Sequence, residues 1–528
     1  MILIETKIED FENPINNSPI YENNSYYSHI SISGDYLFGT NLFSNYNPET
    51  LKNLILDPMT NNKELRDISR LIYNSNGVVT KTIDYKVALP TLDSIICVTG
   101  KNKKENKKQI EKFLTKIRDK EFMRDCLFND DVDGTIFRYV EFSKNKKKFK
   151  KYMDEYEVTN ITEINSFDEN LNVSVISLPI DYCKIIGLKN GSPVGAFNLE
   201  YFDNFEGDTI ENKLKKYPKQ IRDAYNNKQR SNNWVVLDND KTIIHKVRCS
   251  KSEPWGRPSA LAAIIDVLYS DYYTDTKRNL LDELNNQFIY QTFPEGKEKG
   301  TSSLTKQQQE DQHNAVKSAI LNKNNRGGKS FASVAAGTKL DSMKTDTSLF
   351  KDDVEQNLNN DISTDMGMGI GLLDGRSGTY SSQQINLELI FAEIYRWIEE
   401  ISYELNKVIN ANVINSNEMA EIYYLPCSRI NRDKVISNAK DLYMAGSGSK
   451  SYWIASMGIK PSAYLTLMDM EVEEKWDEKY LPHLTSYTAS DKAGNLGGRP
   501  IEENPTNDNT IATKGNNSNN QPKPSNKK

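Results

Sequence analysis

The sequence predicts an α+β fold, and two features of its patterning lead to this class. Strand-like alternation of apolar and polar residues fills much of positions 134 to 250, where Asn190-Gly191 separates two apolar runs as in a tight hairpin. Helical spacing of apolar residues precedes this region and resumes after it in several long stretches. Helices that precede and flank antiparallel strands are typical of the α+β class.

The length and charge of the chain limit the functions to consider. At 528 residues the chain is too long for one hydrophobic core, so we expect several substructures. With 67 Lys and Arg against 73 Asp and Glu, a net charge of -6, it lacks the basic excess of a conventional DNA-binding protein. The same balance suits a conduit through which a polyanion slides, because a strongly basic wall would hold DNA.

Cysteine spacing and hydropathy indicate a cytoplasmic protein. The five cysteines are far apart and form no CxxC pair, which disfavours both disulfides and a zinc site. The sequence has no basic start followed by an apolar core and no run of 18 apolar residues. We therefore expect no membrane partner.

The first third of the chain predicts an arm followed by helices. Residues 1–50 are rich in Asn, Ser and Tyr and are interpreted as an N-terminal arm. Helical spacing begins at Leu51, and a further helix is expected from Val78 to Leu89. Another is expected over residues 101–124, and its basic start is interpreted as a solvated face rather than a phosphate site. A strand over residues 134–141 and a basic cluster at residues 144–151 follow.

Two helices separated by an insertion are predicted in the middle of the chain. The spacing of Leu261, Ile264 and Leu268 predicts a helix from Ser259 to Gln287, roughly 40 Å long at about 1.5 Å per residue. The insertion, residues 289–347, contains a polar helix over 304–321, a Gly-Gly break and the expected strand FASVAAG. The next helix has one apolar residue per turn, which suits a helix that packs in a ring of helices and has one face exposed to solvent. These apolar residues are Phe350, Val354, Leu358, Ile362 and Met366.

A glycine-rich loop and a long helix come next. The loop reads GMGIGLLDGRSGTYSS, and the helix is expected to begin with the capping pair Ser381 and Gln384. Its stripe is Ile394, Ile398, Ile401, Leu405 and Val408. Shorter helices are predicted over residues 432–445, 451–457 and 461–480, and the composition of the last 35 or so residues predicts a disordered tail.

Motifs that would indicate catalysis are incomplete. RGGKS at 326–330 ends like a phosphate loop, but Lys323 stands where its first glycine belongs. NDDVDG at 129–134 has Val140 where a calcium loop needs Glu, so a hairpin turn is the better interpretation. The glycines at 367, 369 and 371 follow a helix rather than a strand, and the four histidines have no metal or triad neighbours. The sequence thus predicts no catalytic residue, metal or cofactor, and no enzyme.

Several stretches, taken in order, resemble the portal proteins of tailed bacteriophages. They include DGTIFRYVE at 133–141, WGRPSALAAIIDVL at 255–268 and MGIGLLDGRSGTYSSQQINLELIFAEIYRWIEEISYELN at 368–406. The resemblance covers residues 50 to 485 and implies a division of the chain into the parts of a portal subunit. These are an arm (1–50), a wing (51–255), a first stem helix (256–288), a clip (289–347), a second stem helix (348–367), a tunnel loop (368–382), a long wing helix with a return strand (383–430), a crown (431–485) and a disordered tail (486–528).

The same resemblance implies a function. A portal is a dodecameric homo-oligomeric ring at one capsid vertex of the virion, a conduit for DNA packaging and ejection. The implied partners are double-stranded viral DNA without sequence specificity, terminase, major capsid and scaffolding proteins, and head-completion (adaptor) proteins. The residues expected at the DNA channel are those of the tunnel loop. They are Gly369, Ile370, Gly371, Leu372, Leu373, Asp374, Gly375, Arg376, Ser377, Gly378, Thr379 and Tyr380.

Two other classes of protein remain open from the sequence. Another ring-forming head or tail structural protein of the virion would share the helices but should lack the order long helix, insertion, long helix. A DNA-processing enzyme would need clustered acids on strand ends or a complete phosphate loop, and the sequence offers neither.

Overall fold

The computed structural model describes residues 46–142, 173–205, 208–227, 233–285, 289–321, 333–342, 352–375, 378–414 and 418–480. The chain is an α+β protein, as the sequence predicts. It divides into two compact units, residues 1–461 and 462–528. Nearly all of the predicted arm, the lysine cluster at 144–151, the phosphate-loop-like RGGKS and the predicted tail lie outside the described residues.

Three helices open the described chain: α1 (Pro48–Leu56), α2 (Asn62–Ser75) and α3 (Gly77–Ala88). The first begins inside the predicted arm because Asn47 caps it, accepting a hydrogen bond from the Thr50 N–H at 2.7 Å. The break between α2 and α3 is fixed by Asn76, whose side chain accepts from the Val78 and Val79 N–H groups. The two helices predicted here are confirmed.

The single helix predicted over residues 101–124 is wrong, because the chain forms α4 (Lys103–Ile117) and α5 (Asp119–Asp133). Arg118 lies between them in the left-handed region with φ 51°. The hairpin turn expected at NDDVDG is also wrong. Its first five residues form the last turn of α5, and Gly134 ends that helix at φ 78°, donating to the Asp130 carbonyl.

The described strands form four antiparallel sheets. Their bounds are β1 Ser94–Val98, β2 Thr135–Phe142, β3 Val173–Ser177, β4 Cys183–Lys189, β5 Ser192–Asn198, β6 Trp234–Val236, β7 Thr242–Lys246, β8 Ile289–Thr292, β9 Lys339–Ser342 and β10 Ala420–Tyr424. The central sheet has the order β3-β2-β7, and a second has the order β4-β5-β6. Two further sheets have two strands each, β1-β10 and β8-β9.

The hairpin predicted at Asn190-Gly191 is confirmed. These two residues connect β4 to β5, and Lys189 pairs with Ser192. Both have positive φ angles, 52° and 85°, as a two-residue turn of this type requires. Two short helices, α6 (Asp208–Lys216) and α7 (Lys219–Asn226), then follow the sheet-forming hairpin.

A helix pair and its insertion come next: α8 (Ile264–Asn285), α9 (Lys306–Leu321) and α10 (Asp352–Asp365). The predicted start of the first long helix at Ser259 is wrong, because Ser259–Leu261 form a 3₁₀ turn after Pro258. At 22 residues α8 is about 33 Å long. The strand expected at FASVAAG is wrong for its described residues, 333–337, which form a loop and turn ahead of β9.

The long helix α12 (Tyr380–Asn412) organises the largest core cluster. Its predicted stripe is confirmed, since all five side chains are at most 2% exposed. The predicted capping pair is wrong by two residues, because Thr379 caps the helix by accepting from the Ser382 N–H. Because α12 packs on β7 and β10, it connects the central sheet to the β1-β10 sheet.

The remaining helices lie at the C-terminal end of the described chain. They are α13 (Arg432–Met444), α14 (Lys450–Ser456), α15 (Pro461–Glu473) and α16 (Trp476–Lys479). The helix predicted over residues 461–480 is thus two helices, with Lys475 at φ 53° between them. The second compact unit contains α16 and nearly all of α15 in its described part.

Candidate functional site: a helix pair and a glycine-bounded turn

Helices α8 and α10 form an antiparallel pair. Lys277 of α8 forms an ion pair with Glu355 of α10, Nζ to Oε2 2.8 Å. Toward the other end of the pair, Asp365 hydrogen-bonds Asp266. Because Asp266 precedes Lys277 whereas Asp365 follows Glu355, the two helices run in opposite directions. The order long helix, insertion, helix expected from the sequence is therefore a real spatial unit.

One end of the helix pair is buried and the rest is open to solvent. Ile264, Leu268 and Ile362 are fully buried in a cluster that includes residues of α1, α2 and α3. Farther along, Tyr269 is 48% exposed and Val354 38% exposed. The pair is thus anchored at one end and presents its remaining length as a surface.

The helix pair is strongly acidic. Helices α8 and α10 carry ten Asp and Glu residues against two basic ones, so the pair is more acidic than the whole chain. Burial, followed by repulsion from Asp275, raises the pKa of Asp271 to about 6. Burial, followed by the hydrogen bond and charge of Asp266, raises the pKa of Asp365 to about 6. A helix pair of this composition disfavours the binding of a polyanion.

The insertion between the two helices has a small fold of its own. Its strands β8 and β9 pair from Ile289 opposite Ser342 to Thr292 opposite Lys339. Helix α9 is fastened to the turn ahead of β9 by Gln312, whose amide donates to Thr338 Oγ1 at 2.8 Å. The insertion, which lies between the two helices in the sequence, thus consists of a two-stranded sheet with a helix fastened to it.

The sequence-predicted channel residues form a turn that is partly helical. Residues Ile370–Asp374 make the short helix α11, so the expectation of a loop throughout 368–382 is wrong. Gly369 precedes it, and Gly375 ends it at φ 69°. Gly378 has φ 89°, whereas Arg376 and Ser377 lie outside the described residues. We call residues 368–382 the glycine-bounded turn.

The side chains of the glycine-bounded turn face two environments. Gly371 is buried, while Ile370, Leu372 and Leu373 are half-buried. Leu372 and Leu373 pack against the core cluster of α12. Asp374 and Thr379 are exposed, and Tyr380 is 80% exposed. The leucines therefore hold the turn in place, and the exposed surface comes from the residues after them.

Two polar side chains that sequence reasoning missed fasten the turn to α12. Asn386 accepts from the Gly369 N–H at 3.1 Å and donates to the Gly367 carbonyl at 3.3 Å. Gln383 donates to the Gly371 carbonyl at 3.2 Å. Both lie in the first turns of α12, and the signal available in the sequence was two amides on a helix directly after the glycines. The helical start and the turn thus form one structural unit.

A buried histidine was also missed by the sequence analysis. His245 of β7 lies with Nδ1 2.7 Å from an Asp130 oxygen and Nε2 2.8 Å from a Glu400 oxygen. Burial disfavours the charged ring, yet the two carboxylates outweigh this and raise the pKa of His245 to about 9. His245 therefore joins α5, the central sheet and α12 as an imidazolium that donates from both nitrogens.

A parallel bridge lies beside this histidine. Arg248 forms ion pairs with Asp131 of α5 at 3.1 Å and with Glu393 of α12 at 3.3 Å. Its guanidinium also lies 4.9 Å from the centre of the Trp397 ring. Two acid–base–acid bridges, through His245 and Arg248, thus fix α12 to α5.

The described residues offer little for metal chemistry or membrane insertion. Among them, no group of three or more His, Cys, Asp or Glu side chains is arranged to hold a metal ion. No helix in the same part of the chain is both long and apolar enough to span a bilayer.

The fold and site define an α+β protein in which an acidic antiparallel helix pair carries an insertion and leads through a glycine-bounded turn into a long buried helix. This chain is similar to the SPbeta prophage-derived uncharacterized protein YonE of Bacillus subtilis (strain 168). The two are 24% identical over 510 residues, which cover 92% of this chain and 94% of the relative. The similarity to a prophage-derived protein therefore extends over nearly all of both chains. No protein-family profile matches the chain.

Among solved structures, chains of a gene transfer agent (GTA) particle match this chain. The neck of the empty GTA particle, computed with C6 symmetry, has a TM-score of 0.45 at 11% identity and covers 83% of this chain and 99% of that one. The neck of the native GTA particle, computed with C12 symmetry, has a TM-score of 0.41 at 12% identity with the same coverage.

Proposed function

We propose that this chain is the subunit of a phage portal ring, a homo-oligomer at one capsid vertex through which viral DNA enters and leaves the head. The observation that carries the proposal is the spatial unit of helix pair, insertion, glycine-bounded turn and long helix, found in the order that the portal resemblance implies. The similarity to a prophage-derived protein over 92% of the chain supports it.

The charge of the helix pair suits the wall of such a conduit. DNA must slide through a channel without being held, and helices that carry ten acidic residues against two basic ones disfavour phosphate binding. In this proposal α8 and α10 are the stem, the insertion is the clip that meets terminase and later the head-completion proteins, and the α12 region contacts capsid and scaffolding proteins. The ring is dodecameric in the virion, and the chain supplies no catalytic group.

The glycine-bounded turn is proposed as the DNA-contacting collar. The half-buried leucines hold it on the core, while Tyr380 and the neighbouring Arg376 supply contacts that do not read bases. Leu372 and Leu373 pack inward in the subunit, so in this proposal they support the collar and do not form its DNA-facing surface.

A comparison of two variants in a phage that depends on this protein tests the proposal. The double variant Arg376→Ala with Tyr380→Ala should leave ring formation intact and lower the amount of packaged DNA per particle, because it removes the proposed DNA contacts of the collar and leaves the half-buried leucines in place. Leu373→Ala should instead lower the thermal unfolding temperature, because it removes a partly buried contact. The expected loss in the free energy of unfolding is about 2 kcal/mol or less. Normal packaged genome length and particle yield with the double variant would overturn the collar's role.

A further inference from the structure

The strongest basic surface of the described chain lies on α4. Residues 101–118 contain eight Lys and Arg residues and two Glu, in a chain that is acidic overall. Six of the lysines are exposed, and five of these, all except Lys116, belong to one set. We call them the lysine face: Lys101, Lys103, Lys104, Lys108 and Lys112.

The lysine face is not explained by contacts within the subunit. Among the residues that the structure describes, these five side chains form no salt bridge, and the two glutamates nearby, Glu105 and Glu111, do not pair with them. Lys103 and Lys104 also lie in the first helical turn, where the helix dipole is positive and a cation is unfavourable. Their placement therefore costs helix stability rather than adding to it.

Another residue supports the start of this helix. The carboxylate of Glu418, just before β10, accepts from the Lys101 and Asn102 N–H groups at 2.9 and 2.8 Å, and from the Asn106 side chain. The backbone at the start of α4 is thus held by an acid from a segment more than three hundred residues away. These hydrogen bonds hold the start of α4 in place, while the side chains of the lysine face stay exposed to solvent.

The composition of the lysine face favours a polyanion over a protein partner. The apolar residues of α4 point inward, with Ile110, Phe113 and Leu114 at most 3% exposed. A protein interface normally has an apolar or aromatic centre and few lysines. Lysines spaced one turn apart, at 104, 108 and 112, instead repeat a positive charge every 6 Å or so, which suits a repeating line of phosphates.

In place of the solvated face expected from the sequence, we propose that the lysine face binds the phosphate backbone of double-stranded DNA without reading its sequence. The subunit would then meet the genome with two elements of opposite charge. The acidic helix pair lets DNA slide, and the basic helix α4 holds it. The biological meaning rests on the proposed portal function, because the DNA would be the packaged genome around the ring. The binding itself is a property of the purified chain.

DNA binding by the full-length protein tests the inference. The triple variant Lys104→Gln, Lys108→Gln and Lys112→Gln is compared with the wild type on short duplexes of two unrelated sequences, by fluorescence anisotropy between about 50 and 200 mM salt. The matched control changes three exposed lysines elsewhere, Lys189→Gln, Lys434→Gln and Lys440→Gln, and so removes the same charge. Circular dichroism checks that α4 still forms in each protein.

We expect the triple variant to bind both duplexes at least about tenfold more weakly and to lower the slope of log affinity against log salt by about 3. The control should keep the wild-type slope. Equal loss in both variants would mean that net charge alone matters, and an unchanged triple variant would mean that DNA binds elsewhere. Either result overturns the inference, as does a wild type that fails to bind DNA, which would point to an acidic protein partner.

Electron microscopy of the same preparations keeps this result separate from the proposed function. Rings without DNA binding would leave the portal proposal standing and remove the lysine face. Lysine-dependent DNA binding by a protein that forms no ring would support the lysine face and contradict the portal proposal.

Discussion

Gly134 and Gly256 approach each other so closely that neither position has room for a side chain. A Cβ built on Gly256 would lie 1.8 Å from the Gly134 carbonyl oxygen, and one built on Gly134 would lie 2.7 Å from the Gly256 carbonyl carbon. The contact is held by the Gly256 N–H, which donates to Thr135 Oγ1 at 2.8 Å. It lies where the chain leaves the central sheet for the helix pair, so it fixes the base of that pair.

Substitution of Gly256 should therefore be severe. Gly256→Ala would force the backbone apart at the end of α5, and we expect it to destabilise the fold by about 3 kcal/mol or to give insoluble protein. Gly187→Ala is the control, because no atom lies within 4 Å of the added methyl group there. Thermal unfolding of both variants measures the difference. Equal unfolding temperatures of the two variants would show that the backbone at Gly256 has room for a methyl group.

The bridge through His245 predicts a dependence of stability on pH. The folded pKa of about 9 lies above the ordinary value of 6.5, so the stabilisation is fully present below pH 6.5 and is lost as the pH rises through 9. His245→Gln should cost about 3 kcal/mol near neutral pH, because it leaves Asp130 buried without its cation, and should flatten this pH dependence. His313→Gln, at an exposed position, is the control. A difference in unfolding stability between the wild type and His245→Gln that stays the same from about pH 6 to about pH 10 would contradict the assignment of His245 as a charged bridge.

Much of the fold was predictable because it depends on local spacing. The stripe of α12 identified a buried helix, since residues three and four apart share one face. The Asn190-Gly191 turn identified a hairpin because few other pairs adopt two positive φ angles so readily. The order of helix, insertion and helix was likewise visible in the apolar pattern.

The parts that sequence reasoning missed depend on contacts between distant residues. Asp130 and Asp131 lie in a helix, and their partners His245 and Arg248 come more than a hundred residues later in the chain. β1 pairs with β10 across more than three hundred residues, and no local signal shows this. The break at Arg118 was missed because a left-handed arginine has no sequence signature.

The order of the glycine-bounded turn among the helices was predicted, but its conformation was not. Residues 369–379 do follow α10 and precede α12 in the chain. Their glycines suggested a free loop, whereas Asn386 and Gln383 fasten the segment and the leucines pack on the core. Which side chain of a turn packs inward is decided by the tertiary neighbours, which the sequence alone does not reveal.

Negative-stain electron microscopy of the purified full-length protein tests the central claim most directly. The account predicts closed rings with a central hole, about wide enough for a DNA duplex, and an oligomer whose mass is a multiple of the 60.3 kDa subunit. Symmetry averaging of end views should give a rotational order consistent with a dodecamer or a closely related ring. A protein that stays monomeric at high concentration, or that forms open filaments without a hole, would contradict the claim.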